Sequence, residues 1–149
     1  MDTHRVEVID GPVTSEMLSG KVEPLLQTRP ELMAVRHELM QREPIFHRPD
    51  FGTTRKDFEK MTASEFWEVG ASGRRYSRKF VLDCLELRYE KPTKAVWEIQ
   101  GFHCEEIAAD NFLVTYTLTQ GNRVTRRATI WRRTSAGWQI VYHQGTVVQ

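Results

Sequence analysis

Cysteine is scarce in this chain: two residues of 149, Cys84 and Cys104, with no CxxC pair. Neither a zinc site nor a redox pair is therefore signalled. Lys and Arg form no run and the net charge is +1, so the electrostatic footprint of a nucleic-acid binder is missing. No apolar stretch is long enough to span a bilayer and no signal peptide is evident, which makes membrane association unexpected and the cytoplasm the default address. Repeats and low-complexity tracts are absent. So are a metal triad, a nucleophile elbow and a phosphate loop, so no cofactor is called for.

What is present is the composition of an ordinary soluble domain, 40% apolar and 28% charged residues, in a chain long enough for one self-sufficient core. Residues 1–27 read as an extension: Val6, Val8 and Ile9 alternate, Gly11-Pro12 breaks the pattern, and Ser15 to Leu18 could form a helical turn. The domain is expected over 28–149. Thr28 with Glu31 predicts a capping box, and Leu32, Val35 and Leu39 recur at helical spacing until Pro44 forces a stop near Gln41 to Glu43. Thr54 predicts the cap of a short helix, Arg55 to Met61. Ser64 to Gly70 reads as a strand and Ala71 to Tyr76 as a turn. Ser77 then caps a helix to about Leu87, with Phe80, Val81, Cys84 and Leu85 on one side. Lys94 to Ile107 alternates as a long strand, in which Gly101 allows a bulge.

The stretch from Asn111 to Thr146 organises the rest. Phe112 to Leu118 alternates large apolar residues with Thr, Gly121-Asn122 suits a two-residue hairpin, and Thr-Ser-Ala-Gly at 134–137 turns the chain again. These turns predict facing pairs: Gln120 with Arg123, Leu118 with Thr125, Tyr116 with Arg127, Val114 with Thr129 and Phe112 with Trp131. On the far side they set Trp131 against Ile140, Thr129 against Tyr142 and Arg127 against Gln144. One face then carries Phe112, Val114, Tyr116, Leu118, Trp131, Trp138, Ile140 and Tyr142, too much aromatic area to leave in water. The opposite face, with Leu113, Val124, Ala128, Ile130, Val141 and His143, is flatter. It is expected to be half-exposed or to bury against a second copy in a homodimer.

Helices first and strands last predict an α+β fold, a curved antiparallel sheet with helices packed on one face. Arg-Glu-Pro-Ile-Phe-His at 42–47, Glu-Val-Gly-Ala-Ser-Gly at 68–73, Leu-Val-Thr-Tyr at 113–116, Arg-Ala-Thr-Ile-Trp-Arg-Arg at 127–133 and Gly-Trp-Gln-Ile-Val-Tyr-His-Gln-Gly-Thr at 137–146 carry a resemblance. Over about Pro30 to Val147 the chain resembles the nuclear transport factor 2-like superfamily, the SnoaL-like and ketosteroid isomerase-like fold, in a bacterial branch of unknown function. The resemblance implies a cone-shaped domain with a pocket between concave sheet and helices, and no particular reaction. Enzymes of the superfamily use an acidic residue or histidine in the cavity. No Asp falls on the concave positions of the last three strands, so their catalytic residues are not carried over.

Pairing Ile107 with Phe112 sets His103 opposite Tyr116, and a polar row His103, Tyr116, Arg127, Gln144 then crosses the aromatic wall as the floor of a pocket. A covered guanidinium needs an anion, either an internal carboxylate, for which Glu68 and Glu105 are candidates, or a ligand's. An internal Arg127–Glu68 ion pair is the plainer reading. His47 could face the cavity mouth, and Trp67, Trp131 and Tyr142 could form its wall. The expected ligand-binding set is thus His47, Trp67, Glu68, His103, Tyr116, Arg127, Trp131, Tyr142 and Gln144. His103 or His47 could serve as a base and Tyr116 as a donor if the protein is an isomerase or lyase. The favoured role is a small-molecule binding domain for an anionic or carbonyl-containing ligand, with that enzyme and a homodimeric assembly module as the alternatives.

Overall fold

The computed structural model describes residues 23–91 and 96–149. The readings at Val6 to Leu18 and at Lys94 and Ala95 lie outside these. Helix α1 spans Met33–Arg42, preceded by a 3-10 turn at Pro30–Leu32. Its end comes where Pro44 dictates, with Glu43 already extended at φ −90° and ψ 147°, since the residue before a proline is driven out of the helical region. The expected capping box at Thr28 does not form. Arg29 occupies the cap position with no side-chain bond, while Thr28 Oγ1 accepts the Cys104 backbone N–H at 3.1 Å and ties the chain to a strand.

Helix α2, Arg55–Met61, is capped reciprocally by Thr54 and Asp57. Helix α3, Arg78–Glu90, has Ser77 Oγ accepting from the Phe80 N–H. Val81, Leu82 and Leu85 are its buried residues, whereas Phe80 is 50% exposed and stacks on Tyr76. The inward face of α3 is thus turned about one residue from the expected one.

Six strands, β1 Thr62–Val69, β2 Arg75–Ser77, β3 Glu98–Ala108, β4 Asn111–Gln120, β5 Arg123–Thr134 and β6 Gly137–Val147, make one sheet in the order β2-β1-β6-β5-β4-β3. The sheet is mixed rather than purely antiparallel, because β1 lies parallel to β6. The architecture is α+β, a curved and open sheet with helices on its concave side. Leu39, Phe58, Leu82 and Leu85 from the helices meet Phe112, Val114, Leu118, Trp131 and Ile140 from the sheet in a single core.

Register decides which polar groups enter that core. Between β4 and β5 the ladder follows the Gly121-Asn122 turn without a break, with Tyr116 opposite Arg127 and Phe112 opposite Trp131. Between β5 and β6 it starts as the turn dictates, with Trp131 opposite Ile140, and then slips so that Ile130 faces Tyr142. Val141 is the extra residue of a bulge. One extra residue exchanges the two faces of a strand, so His143 comes opposite Thr129, Gln144 opposite Ala128 and Gly145 opposite Arg127. Between β3 and β4 the slip lies at Ile107: Ala108 faces Asn111 but Glu106 faces Phe112. His103 consequently pairs with Thr115, not Tyr116, and a second irregularity precedes it at Gly101, where φ is +62°.

Candidate functional site

The break at Pro44 carries the most consequential side chain. Extended backbone at Glu43 aims its carboxylate under the sheet, where it is fully buried. Tyr116 Oη donates to Glu43 Oε2 at 2.7 Å, Trp131 Nε1 to Oε1 at 3.0 Å, and the Ile45 N–H to Oε2 at 3.2 Å. Arg48 caps the same residue from outside, its Nε and Nη2 donating to the Glu43 carbonyl. The Tyr116 hydroxyl is held protonated, its pKa raised by burial and by the Glu43 charge. Tyr116 and Trp131, two of the expected ligand contacts, are thus committed to an internal acceptor.

Beside Glu43 opens a cavity of about 100 Å³, lined by Glu43, Pro44, Ile45, Phe46, His47, Glu68, Arg88, Arg127 and His143. Every element contributes through local geometry: the turn after Pro44 brings His47, β1 Glu68, α3 Arg88, β5 Arg127, and the bulged β6 His143. Arg127 lies along Gly145, a Cβ on which would stand 3.8 Å from its Nε. Its Nε donates to Thr125 Oγ1 at 3.1 Å and its Nη1 to His143 Nε2 at 3.4 Å. A guanidinium can only donate. Nε2 of His143 must therefore be the bare nitrogen, and the ring proton sits on Nδ1, which lies 2.8 Å from Thr129 Oγ1. Burial first, then Arg127 and His47, push the His143 pKa down to about 3. Burial, Arg88 and Arg127 push that of His47 down to about 4.

The expected Arg127–Glu68 ion pair is not made. Among the described residues no carboxylate stands within ion-pair distance of Arg127 or Arg88, and Glu68 has no hydrogen-bond or ion-pair partner. Burial raises the pKa of Glu68, and Arg127 and Arg88 only partly oppose it. No group of acidic, histidine or cysteine side chains among the described residues could hold a metal ion.

Of the expected set, His47, Glu68 and Arg127 converge on the cavity. Four others lie on the outer side of the sheet. Trp67 is 43% exposed and packs against Tyr142 with ring centroids 4.9 Å apart. Tyr142 Oη donates to Gln144 Oε1 at 2.7 Å, both turned outward by the Val141 bulge. His103 lines an outer groove with Leu25, Leu26 and Leu32, and Phe102 takes its place inside, stacked on Tyr116 at 5.4 Å. His143, expected outside, lies inside for the same reason that Tyr142 does not. Glu43, Arg88 and His143 were not anticipated. A signal for Glu43 does exist in the sequence: a Trp indole and a Tyr hydroxyl on a covered face both need an acceptor, and Glu43, set before Pro44, lies where the helix must break inward.

The chain has the nuclear transport factor 2-like fold. A proposed dehydratase of that family from Streptomyces avermitilis is similar over 81% of this chain and 99% of its own, with a TM-score of 0.62 at 17% identity. A protein of unknown function from Pectobacterium atrosepticum, of a family designated DUF3225, covers 81% of this chain and 94% of its own at a TM-score of 0.60 and 13% identity. A proposed calcium/calmodulin-dependent kinase II association domain from Exiguobacterium sibiricum covers 83% and 98% at a TM-score of 0.55 and 16% identity. No family model and no curated protein matches the sequence. Among the described residues no helix is long and apolar enough to cross a membrane.

Proposed function

We propose that this is a small-molecule binding domain whose cavity takes a small carboxylate or other carbonyl-containing anion against Arg127. The observation that carries the reading is a half-buried guanidinium, oriented by Thr125 and His143, with no internal carboxylate paired to it among the described residues. A covered cation of this kind is a standing demand for an anion. Arg88, at the same cavity, adds a second positive group. The volume narrows the class: about 100 Å³ compares with roughly 300–1,000 Å³ for pockets that enclose drug-sized ligands. The ligand is a short acid of a few heavy atoms, or the acidic end of a longer one.

Thermal shift against sodium formate, acetate, glycolate and pyruvate tests this. At ten times its Kd a ligand contributes about 1.4 kcal/mol, a rise of roughly 3–6 °C for a chain of this size. The rise is expected in the wild type and not in Arg127→Met. No stabilisation by any of the four, or equal stabilisation of the variant, would remove the reading.

Catalysis is a second role for the same groups, favoured by a neutral imidazole at His47 that lines the same cavity as a carboxyl, Glu68, whose pKa is raised. Proton abstraction next to a carbonyl, or a dehydration, would use His47 as base, with Tyr116 left to hold Glu43. The described similarity to a proposed dehydratase agrees with this but carries only the fold. Assembly is compatible with either role: Leu113, Val124, Ala128, Ile130 and Val141 are all only half-buried in the single chain. Light scattering at micromolar concentration is expected to give twice the monomer mass, and a monomer would exclude a homodimer through that face.

A further inference from the structure

His47 stands out in the cavity as the base with nothing to do. His143 is engaged at both nitrogens, through Thr129 and Arg127, whereas no hydrogen bond is made by the His47 ring among the described residues. It is packed beside the Trp97 ring, 6.4 Å between centroids. The charged and titratable groups that share its cavity come from every neighbouring element: Glu43 before it, Glu68 on β1, Arg88 on α3, Arg127 on β5 and His143 on β6. Arg48 lies just outside, its guanidinium 5.1 Å from the Trp97 ring centroid.

We propose that the cavity takes up its acid as anion plus proton, the carboxylate seating on Arg127 and the proton going to the free imidazole of His47. This rests on the anion-binding reading above and adds a ligand class, weak acids, together with a role for one residue. The proton balance is simple: an acid RCOOH gives its proton to the imidazole and remains as RCOO⁻. At neutral pH the equivalent event is binding of RCOO⁻ with one proton drawn from solution. The reason lies in what the anion cancels. In the empty cavity burial first, and then the Arg88 and Arg127 guanidinium groups, disfavour a positive charge on His47. A carboxylate placed on Arg127 offsets that repulsion and supplies a partner for an imidazolium. By linkage, a ligand that raises the proton affinity of a group must itself bind more tightly where that proton is available.

The size of the effect follows from the two limits. If the bound anion returns His47 from about 4 to an ordinary histidine value, affinity rises about tenfold between pH 7.5 and pH 5.5. Formate is the probe, since it remains ionised throughout that range and fits the volume. Titration calorimetry on the full chain, in two buffers of different ionisation enthalpy at pH 5.5, counts the protons taken up. Because burial still opposes the imidazolium, tenfold is the ceiling, and the expected result is measurable net proton uptake with formate and a higher affinity at pH 5.5 than at pH 7.5. In His47→Gln the uptake vanishes and the pH dependence flattens. In Glu68→Gln the uptake persists.

Formate bound without proton uptake overturns this inference and leaves the anion site standing. Uptake that survives in His47→Gln and vanishes in Glu68→Gln assigns the proton to the carboxyl instead and equally overturns it. No binding by any short carboxylate removes the anion site, and this inference with it. Because the wild-type proton count needs no variant, a His47→Gln chain that failed to fold would still leave the first of these outcomes decisive.

Discussion

Glu43 and Glu68 line the same cavity, yet their surroundings are opposite. Glu43 is fully buried and accepts from three uncharged donors, Tyr116, Trp131 and the Ile45 amide, with no cation in ion-pair distance among the described residues. Glu68 has two guanidinium groups in its cavity and touches neither. The first arrangement is complete and therefore structural; it pins the break after α1 to the centre of the sheet. The second has no protein partner among the described residues, which leaves it open to solvent and, on the reading proposed above, to a solute. Stability is expected to reside on the Glu43 side, and response to solutes and pH on the Glu68 side.

The strongest way to break this comparison is to remove the satisfied carboxylate. Glu43→Ala leaves a buried hydroxyl and indole N–H without acceptors, and should cost about 3–5 kcal/mol by urea denaturation. A loss under 1 kcal/mol would mean the network is incidental. Tyr116→Phe removes one hydrogen bond to the same group and is expected to cost about 1.5–3 kcal/mol. Gly101→Ala introduces a side chain at φ +62° with nothing within 4 Å of it, so only backbone strain opposes it, about 1 kcal/mol. Glu68→Gln should be nearly silent at pH 7, within about 0.5 kcal/mol, because no partner is lost.

Acid sharpens the contrast further. His47 and His143 have folded pKa values below the ordinary histidine value, near 4 and 3. The unfolded chain therefore binds more protons than the folded one between about pH 6.5 and these values, and stability falls as pH drops through that window. Urea midpoints at pH 7 and pH 5 should show this loss, and it should be smaller in His47→Gln. An equal loss in both chains would place the titrating groups elsewhere.

The β4–β5 hairpin shows what could be read in the sequence. Alternation and a Gly-Asn turn set every facing pair there, including Tyr116 with Arg127, because a two-residue turn leaves the ladder no freedom. Its neighbours show what could not. Nothing in Ile140 to Tyr142 or in Glu106 to Ala108 marks Val141 and Ile107 as extra residues. A bulge there is set by how the strand must bend over the helices and by the demand to bury Ile140 and Cys104. Those two slips sent His103, Tyr142 and Gln144, three of the nine expected residues, outward and His143 inward, while the order of the strands was unaffected. Arg127, fixed by the unbroken hairpin, kept its place.

The account stands on that guanidinium being free to take an anion. The most direct measurement follows the Arg127 Nε–H resonance by proton–nitrogen NMR, assigned through its loss in Arg127→Met, while sodium acetate is added to the full chain at constant ionic strength. A saturable downfield movement of that one signal, with chloride producing none, is the predicted result. An Nε–H that stays where it is as acetate reaches concentrations well above those of the protein would contradict it.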